Sequence, residues 1–113
     1  LDPLAYDESL ATVAASHSRD MHERDYFAHE APDGAGVDDR YARFGIDCNG
    51  GENIYLTRAG GLAATEGTLA DHVVREWMNS EGHREAILRD RYTSQGIGIV
   101  VADGAVYATQ NFC

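Results

Sequence analysis

Two histidines and one glutamate are the residues of this sequence whose types best suit metal chemistry. His29 and His83 each stand at a turn or a helix start among small or polar residues, where a side chain can face a cleft. Two neutral imidazoles with a nearby carboxylate can hold Zn²⁺ and leave one coordination position for water. Glu52, in the tight Gly51-Glu52-Asn53 corner, could supply that carboxylate or orient an imidazole through a hydrogen bond. A zinc site is therefore one hypothesis for this chain.

The same residues have a structural alternative, in which they form a buried, hydrogen-bonded cluster that fixes the loops. No HExxH or CxxC pattern accompanies them, so spacing alone favours this alternative over metal binding. Ser80 lies three residues before His83, which allows contact, but no G-x-S-x-G segment surrounds the serine. Capping of the following helix explains Ser80 adequately. Nucleophilic catalysis is thus the weakest of the chemical hypotheses.

The other three histidines are expected to have structural roles. His17 lies on the apolar stripe of the first predicted helix, so we interpret it as a core histidine bonded to a backbone partner. His22 and His72 are expected to be solvated helix residues.

Two cysteines, Cys48 and Cys113, are too far apart in sequence for a redox pair and too few for a structural zinc site. A disulfide between them would stabilise the fold by about 4 kcal/mol in the loop-entropy picture. It would also place the protein outside the cytoplasm. Two unrelated buried thiols are the alternative.

Helices in the first half of the chain must position these residues. Apolar residues spaced by three and four predict a helix from Asp7 to about Glu23, with Asp7 as its N-cap. A short helix is predicted from Val37 to Phe44, and it should end at Gly45 in the left-handed conformation. Between the two helices, Pro32-Asp33-Gly34 predicts a chain reversal.

The second half is expected to supply the sheet and two more helices. Asn53 to Leu56 is typical of a brief strand, and residues 96–112 predict a hairpin around an Asp103-Gly104 turn. Helices are predicted from about Thr68 to Asn79 and from Glu81 to Leu88. Helices first, a lone strand and a final hairpin indicate an α+β fold in which helices cover a small, mainly antiparallel sheet.

The composition excludes some partners. The 113 residues suit one compact domain, and 19 acidic residues against 9 basic ones give a formal net charge of -10. Nucleic acid is excluded as a partner, because the arginines are scattered among carboxylates and form no basic stripe. No apolar run is long enough to span a bilayer.

All nine basic residues are arginine, and lysine is absent. An acidic surface without lysine is typical of a charge-repelled exterior that stays soluble when salt screens it, which favours a salt-adapted source. A genome of high GC content is the alternative explanation.

Several segments of the chain carry a family resemblance when they are taken together. The segments are His17-Ser18-Arg19-Asp20-Met21, Tyr26-Phe27-Ala28-His29 with Pro32-Asp33-Gly34, Gly51-Glu52-Asn53-Ile54, the run from Trp77 to Arg84 with Ile87-Leu88, and Thr109-Gln110-Asn111-Phe112. These segments resemble the prokaryotic branch of the CAP superfamily, which holds cysteine-rich secretory proteins, venom antigen 5 and plant pathogenesis-related group one proteins. They follow the family's order and cover almost the whole chain. We therefore expect a single CAP domain over residues 1–113, from a salt-adapted archaeon.

The resemblance implies a three-layer α-β-α sandwich, an extracellular or cell-surface location, and a cleft with a His, Glu, Glu, His tetrad that binds zinc in some members. His29, Glu52 and His83 match three of the four positions. The second glutamate is the departure, because Ser80 stands three residues after Trp77, where members with the full tetrad carry it. A site with His29 and His83 as zinc ligands, assisted by Glu52, remains. The family's usual first helix is expected to be absent, as in an excised or processed domain.

These observations favour a secreted, monomeric binding or scaffold module. Its cleft of His29, Glu52, Ser80 and His83 would engage a small molecule, a lipid or a cell-surface component without turnover. This hypothesis requires no cofactor, although Zn²⁺ is compatible with it. The rival is a Zn-dependent, peptidase-like hydrolase, in which the metal lowers the pKa of a water and Glu52 acts as the base. In a third alternative the same residues only stabilise the sandwich.

Overall fold

The computed structural model describes residues 4–58, 73–78 and 92–113. Six elements follow one another along these segments: β1 (Ala5–Tyr6), α1 (Glu8–Glu23), α2 (Val37–Arg43), β2 (Gly51–Thr57), β3 (Ser94–Ala102) and β4 (Ala105–Phe112). Residues 73–78 are also helical. No helix in the described segments is long and apolar enough to cross a membrane.

The strands form one mixed sheet in the order β1-β3-β4-β2. β4 lies between β3 and β2 and pairs with both in the antiparallel direction. β1 adds a two-residue parallel pairing to β3, with Ala5 opposite Ser94. The predicted α+β fold is therefore confirmed, and β1 is the one described strand that the sequence analysis did not predict.

The hairpin between β3 and β4 turns through Asp103 and Gly104. Both residues have positive φ angles, 52° and 75°. A two-residue turn with positive φ at both positions follows the right-handed twist of the flanking strands, and Asp-Gly is one of the sequences that form it most readily. The prediction of the hairpin and its turn is confirmed.

Helix α1 packs on one face of the sheet. It begins after Asp7, whose Oδ1 accepts a hydrogen bond of 3.1 Å from the backbone N–H of Leu10, so the predicted N-cap is confirmed. Gly96 and Gly98 on β3 lie directly under the helix, because a Cβ at either position would overlap the α1 backbone at Ala11 or Ala15. The two glycines let the helix approach the sheet closely.

The other face of the sheet is covered by the helical residues 73–78. Val73 and Trp77 pack against Ala108 of β4, and Trp77 donates a hydrogen bond from its indole N–H to the carbonyl of Ile54 at 3.0 Å. Neighbouring residues of a strand point to opposite faces, so one strand serves both layers: Thr109 bonds Ser18 of α1, while Ala108 contacts Trp77. The three-layer sandwich is thus present in the described residues.

A disulfide joins Cys48 to Cys113, with 6.0 Å between the two Cα atoms, and confirms the predicted pairing. The short helix α2 ends as predicted, with Gly45 at a φ of 71°. The helix predicted over residues 81–88, and the part of the preceding one outside residues 73–78, lie outside the described residues.

Candidate functional site

The carboxylate of Glu52 is the centre of a polar cluster between the sheet and its α1 layer. Glu52 lies on β2 opposite Asn111 of β4, and its side chain is 1% exposed. Its Oε1 accepts a hydrogen bond of 2.9 Å from Nδ1 of His29. Its Oε2 accepts two, from Nη2 of Arg40 at 2.5 Å and from Nδ2 of Asn111 at 2.9 Å. Three donors therefore hold one buried carboxylate.

Arg40 reaches the cluster because α2 is anchored beside it. The neighbouring Tyr41 is buried against Leu10 of α1 and donates its hydroxyl to the carbonyl of Phe112 at 2.7 Å. Arg40 itself is buried, and its Nη1 donates to the backbone carbonyl of His29 at 3.0 Å. One guanidinium thus holds both the Glu52 side chain and the loop that carries the histidine.

The loop that presents His29 is tied down by its own turn. The carbonyl of Ala31 accepts from the N–H of Gly34, and the N–H of Ala31 donates to the carbonyl of Ala35. Asp33 caps the turn by accepting from the N–H of Ala35 at 3.1 Å. The predicted chain reversal at Pro32-Asp33-Gly34 is confirmed, and it directs the chain from the histidine back towards α2.

His17 lies behind the carboxylate and is 1% exposed. Its Nε2 donates to the carbonyl of Ala28 at 2.8 Å, which fixes the proton on that nitrogen, and the same nitrogen is 3.8 Å from Oε1 of Glu52. Burial lowers the pKa of His17 more than the nearby Glu52 raises it, so the ring is neutral at pH 7. The interpretation of His17 as a core histidine with a backbone partner is confirmed.

Opposing effects act on the pKa of Glu52. Burial alone would raise it, but the hydrogen bond from His29 and the charge of Arg40, with smaller contributions from His17 and Asn111, hold the pKa below its ordinary value. The carboxylate is therefore ionised at neutral pH, and each of its two oxygens already accepts at least one hydrogen bond.

His29 is the part of the cluster that faces solvent, since its side chain is 54% exposed. Because Nδ1 donates to Glu52, Nε2 is the ring nitrogen left to accept a hydrogen bond or to bind a metal ion. A carboxylate on one imidazole nitrogen fixes the tautomer and makes the other nitrogen a better electron-pair donor.

The structure brings together two of the four residues singled out in the sequence, His29 and Glu52. Ser80 and His83 lie outside the described residues. Among the described residues, no group of three or more histidine, cysteine, aspartate or glutamate side chains is arranged to hold a metal ion.

Sequence analysis missed Arg40 and Asn111 as members of this cluster. A signal for Arg40 exists, since it shares the buried stripe of α2 with Tyr41, and an arginine on such a stripe needs a buried partner. Asn111 lies in one of the segments that carried the family resemblance, and its direct opposition to Glu52 depends on the strand register.

The expectation that His22 is a solvated helix residue is wrong. Its side chain is only 24% exposed, and its Nε2 lies 3.0 Å from Oδ2 of Asp103 in the hairpin turn. The ring also packs edge-on against Tyr107, with 5.7 Å between ring centroids. Close packing of α1 on β3 and β4 brings the end of the helix to the turn. His72 lies outside the described residues.

A family model and two bacterial protein sequences each match nearly the whole chain. The family model described as the cysteine-rich secretory protein family (CAP) matches residues 1–112. Two Bacillus subtilis (strain 168) proteins are similar in sequence: the uncharacterized membrane protein YlbC, 39% identical over 113 residues, and the uncharacterized protein YkwD, 36% identical over 110 residues. These matches cover 99% and 97% of the chain but only 29% and 39% of the two relatives.

One solved structure is similar to this chain over almost its whole length. The extracellular protein containing an SCP domain from Bacillus anthracis str. Ames superposes with a TM-score of 0.78 and 36% identity, over 99% of this chain and 34% of that one. All three similar proteins are bacterial, so they give no support to the expected origin in a salt-adapted archaeon.

Proposed function

Because the chain belongs to the cysteine-rich secretory protein (CAP) family, we propose that it is an extracellular binding module whose cleft at His29 and Glu52 engages a ligand without turnover. The observation that carries this proposal is the set of hydrogen bonds that Glu52 already accepts. Three donors, on His29, Arg40 and Asn111, occupy its two oxygens.

The contacts of Glu52 and its lowered pKa argue against the hydrolase alternative. A general base must accept a proton from water, and it works best when its pKa is close to the working pH. The pKa of Glu52 is instead held below its ordinary value, and Arg40 would lose a buried ion-pair partner if the carboxylate took up a proton. Glu52 is therefore suited to orienting His29 and poorly suited to activating water.

A ligand would meet this cluster at the exposed edge of His29. Nε2 offers an acceptor there, and its position is fixed by the bond from Nδ1 to Glu52 on the other side of the ring. The ligand classes that we propose are a small molecule, a lipid or a cell-surface component. Self-repulsion from a net charge of -10 favours a monomer.

One contact among the described residues supports a zinc ion at this cleft, although they form no complete metal site by themselves. Metal-binding histidines usually donate their second ring nitrogen to a carboxylate or carbonyl, which is the arrangement of His29 and Glu52. His29 would bind through Nε2 and His83 would supply the second imidazole. When bound, Zn²⁺ would act as a Lewis acid that anchors an oxygen of the ligand.

Two observations support an extracellular location. The disulfide between Cys48 and Cys113 is of a kind that persists in oxidising compartments. The similar Bacillus anthracis protein is described as extracellular. One Bacillus subtilis relative is described as a membrane protein, and the chain matches 29% of it, so we propose that this domain can also be displayed at a cell surface.

The proposal is tested with Zn²⁺ as the probe of the cleft. Calorimetric titration of metal-free protein should show one Zn²⁺ site that is lost in the variants His29→Ala and His83→Ala but kept in His22→Ala, a histidine outside the cluster. Equal Zn²⁺ binding by wild type and all three variants would refute a metal site at His29 and His83. Each protein is also incubated with a general peptide library, with and without Zn²⁺, and no cleavage is expected. Cleavage that disappears in His29→Ala would establish the hydrolase instead.

A further inference from the structure

A cavity lies between α1 and the segment that runs from Ala31 to Arg43. Its volume is about 250 Å³. Four arginines line it: Arg19 of α1, Arg24 at the C-cap of α1, and Arg40 and Arg43 of α2. His29, the exposed residue of the proposed cleft, is not among its lining residues. The cavity therefore opens away from the exposed edge of His29, although His17 and Arg40, which lie next to Glu52, line it from behind.

Arginines outnumber carboxylates in the lining of this cavity, whereas acidic residues predominate in the chain as a whole. Four of the nine arginines line it, together with three carboxylates, whereas acidic residues outnumber basic ones by 19 to 9 in the whole sequence. Four arginines against three carboxylates leave the cavity lining with a net charge of +1, on a chain whose net charge is -10. An anion is therefore repelled less here than by the acidic remainder of the protein.

Two of the three carboxylates that line the cavity already have partners. Asp20 accepts hydrogen bonds from Nε and Nη2 of Arg24, at 2.8 and 2.7 Å, and from the hydroxyl of Tyr26 at 2.5 Å. The bond from Arg24 is the main reason that the pKa of Asp20 is lowered. Asp33 accepts from the N–H of Ala35. Glu23, on the exposed face of α1, is the third.

The arginines are less completely paired. Nε of Arg40 has no hydrogen-bond partner, although the residue is only 4% exposed. A buried donor without an acceptor costs about 1–3 kcal/mol, so such an atom indicates a missing partner. Arg19 and Arg43 are exposed and form no ion pair within the described segments.

We propose that this cavity binds the oxyanion group of a small ligand, either a carboxylate or a phosphate. Arg19 and Arg43, from the two walls, would attract the anion and bind its outer oxygens. Nε of Arg40 would donate to the oxygen that lies deepest. Guanidinium groups suit this task because their planar array of donors matches the geometry of both anions.

The experiment titrates inorganic phosphate and, separately, acetate into ¹⁵N-labelled protein at constant ionic strength. Saturable shifts are expected for amides of residues 16–24 and 36–43. Arg43→Gln should weaken binding about tenfold, since one charge-assisted hydrogen bond is lost. Arg58→Gln is the matched control, because it removes the same charge from an exposed arginine outside the cavity, and it should leave the affinity unchanged. A response to one anion alone would identify the group that is recognised.

Three outcomes would overturn the proposal. The first is the absence of saturable shifts with both anions. The second is an equal loss of affinity in Arg43→Gln and Arg58→Gln, which would mean that only net charge matters. The third is loss of binding in His29→Ala, which would place the anion in the cleft. Because the cavity does not include His29, its binding of phosphate or acetate can fail or succeed independently of the Zn²⁺ titration.

Discussion

Arg40 and Glu52 form a buried ion pair, with 2.5 Å between Nη2 and Oε2 and side chains that are 5% and 1% exposed. The pair joins α2 to the edge strand β2, two elements that are 12 residues apart at these positions. The other terminal nitrogen of Arg40, Nη1, donates a hydrogen bond to the backbone carbonyl of His29. The position of the cleft histidine therefore depends on an ion pair that solvent does not reach.

Removal of Arg40 should be the most damaging single change to the cluster. Arg40→Met leaves the Glu52 carboxylate buried without its cation, and breaking a buried pair in this way typically costs about 3–5 kcal/mol. The free energy of unfolding is measured by urea titration. Arg43→Met, on the exposed part of the same helix, is the control and should change it by less than about 0.5 kcal/mol. Equal effects of the two variants would contradict a structural role for the pair.

The pH dependence of stability should have a component that belongs to His17. The folded pKa of this histidine is below its ordinary value of 6.5, so the unfolded chain binds the proton more readily. The stabilisation by the neutral ring is complete above pH 6.5 and is lost as the pH falls from there through the folded pKa. The free energy of unfolding of wild type is therefore expected to decrease over this window, and His17→Gln should reduce that decrease. His22→Gln serves as the control.

Glu52 should contribute at lower pH. Its folded pKa is also depressed, so its stabilisation is complete above the ordinary value of 4.5 and is lost as the pH falls through the folded pKa. Measurements in the His17→Gln background remove the contribution of His17, and the decrease that remains belongs to Glu52 together with Asp20, whose pKa is also lowered. A wild-type profile that is flat from pH 7 to 4.5 would contradict the assignment to His17, and a His17→Gln profile that stays flat below pH 4.5 would contradict the assignment to Glu52.

The disulfide should account for a large share of the stability. Its cysteines are 65 residues apart, and a loop of that length corresponds to about 4 kcal/mol in the loop-entropy model. Reduction, or the double variant Cys48→Ser/Cys113→Ser, should lower the free energy of unfolding by about that amount. Ellman titration of unfolded, unreduced protein should find no free thiol. Two reactive thiols would refute the bond and weaken the case for an extracellular location.

The close approach of α1 to β3 predicts an asymmetric response to glycine substitution. Gly98→Ala places a methyl group against the backbone of Ala15, so the helix must shift, at a cost of about 1–3 kcal/mol. Gly36→Ala meets no atom within 4 Å, so its cost is limited to the weaker preference of alanine for the N-cap of α2, about 0.5 kcal/mol. Similar melting temperatures for the two variants would show that the helix can move away from the sheet without loss.

The sequence predicts those parts of the fold that depend on neighbouring residues. The N-cap at Asp7, the left-handed Gly45 and the Asp103-Gly104 turn are each set by interactions within a few positions, and all three are present. The two-residue strand β1 was not predicted, because its pairing to Ser94 depends on chain nearly 90 residues away and two residues carry no periodicity.

The candidate site was predicted less completely for the same reason. Glu52 and His29 were recognised from their types and their surroundings in the sequence. The contacts of Glu52 with Arg40 and Asn111 follow from the packing of α2 and from the register of β2 on β4, which no local pattern specifies. The orphaned Nε of Arg40 likewise becomes visible only once its neighbours are in place.

The position of β4 in the middle of the sheet constrains when the protein can fold during synthesis. β2 is synthesised about 50 residues before β4, yet β4 is its only hydrogen-bonded neighbour in the described sheet. β3 needs the same strand, and the disulfide needs the cysteine that follows it. The nascent chain therefore cannot complete its core until residue 113 has left the ribosome.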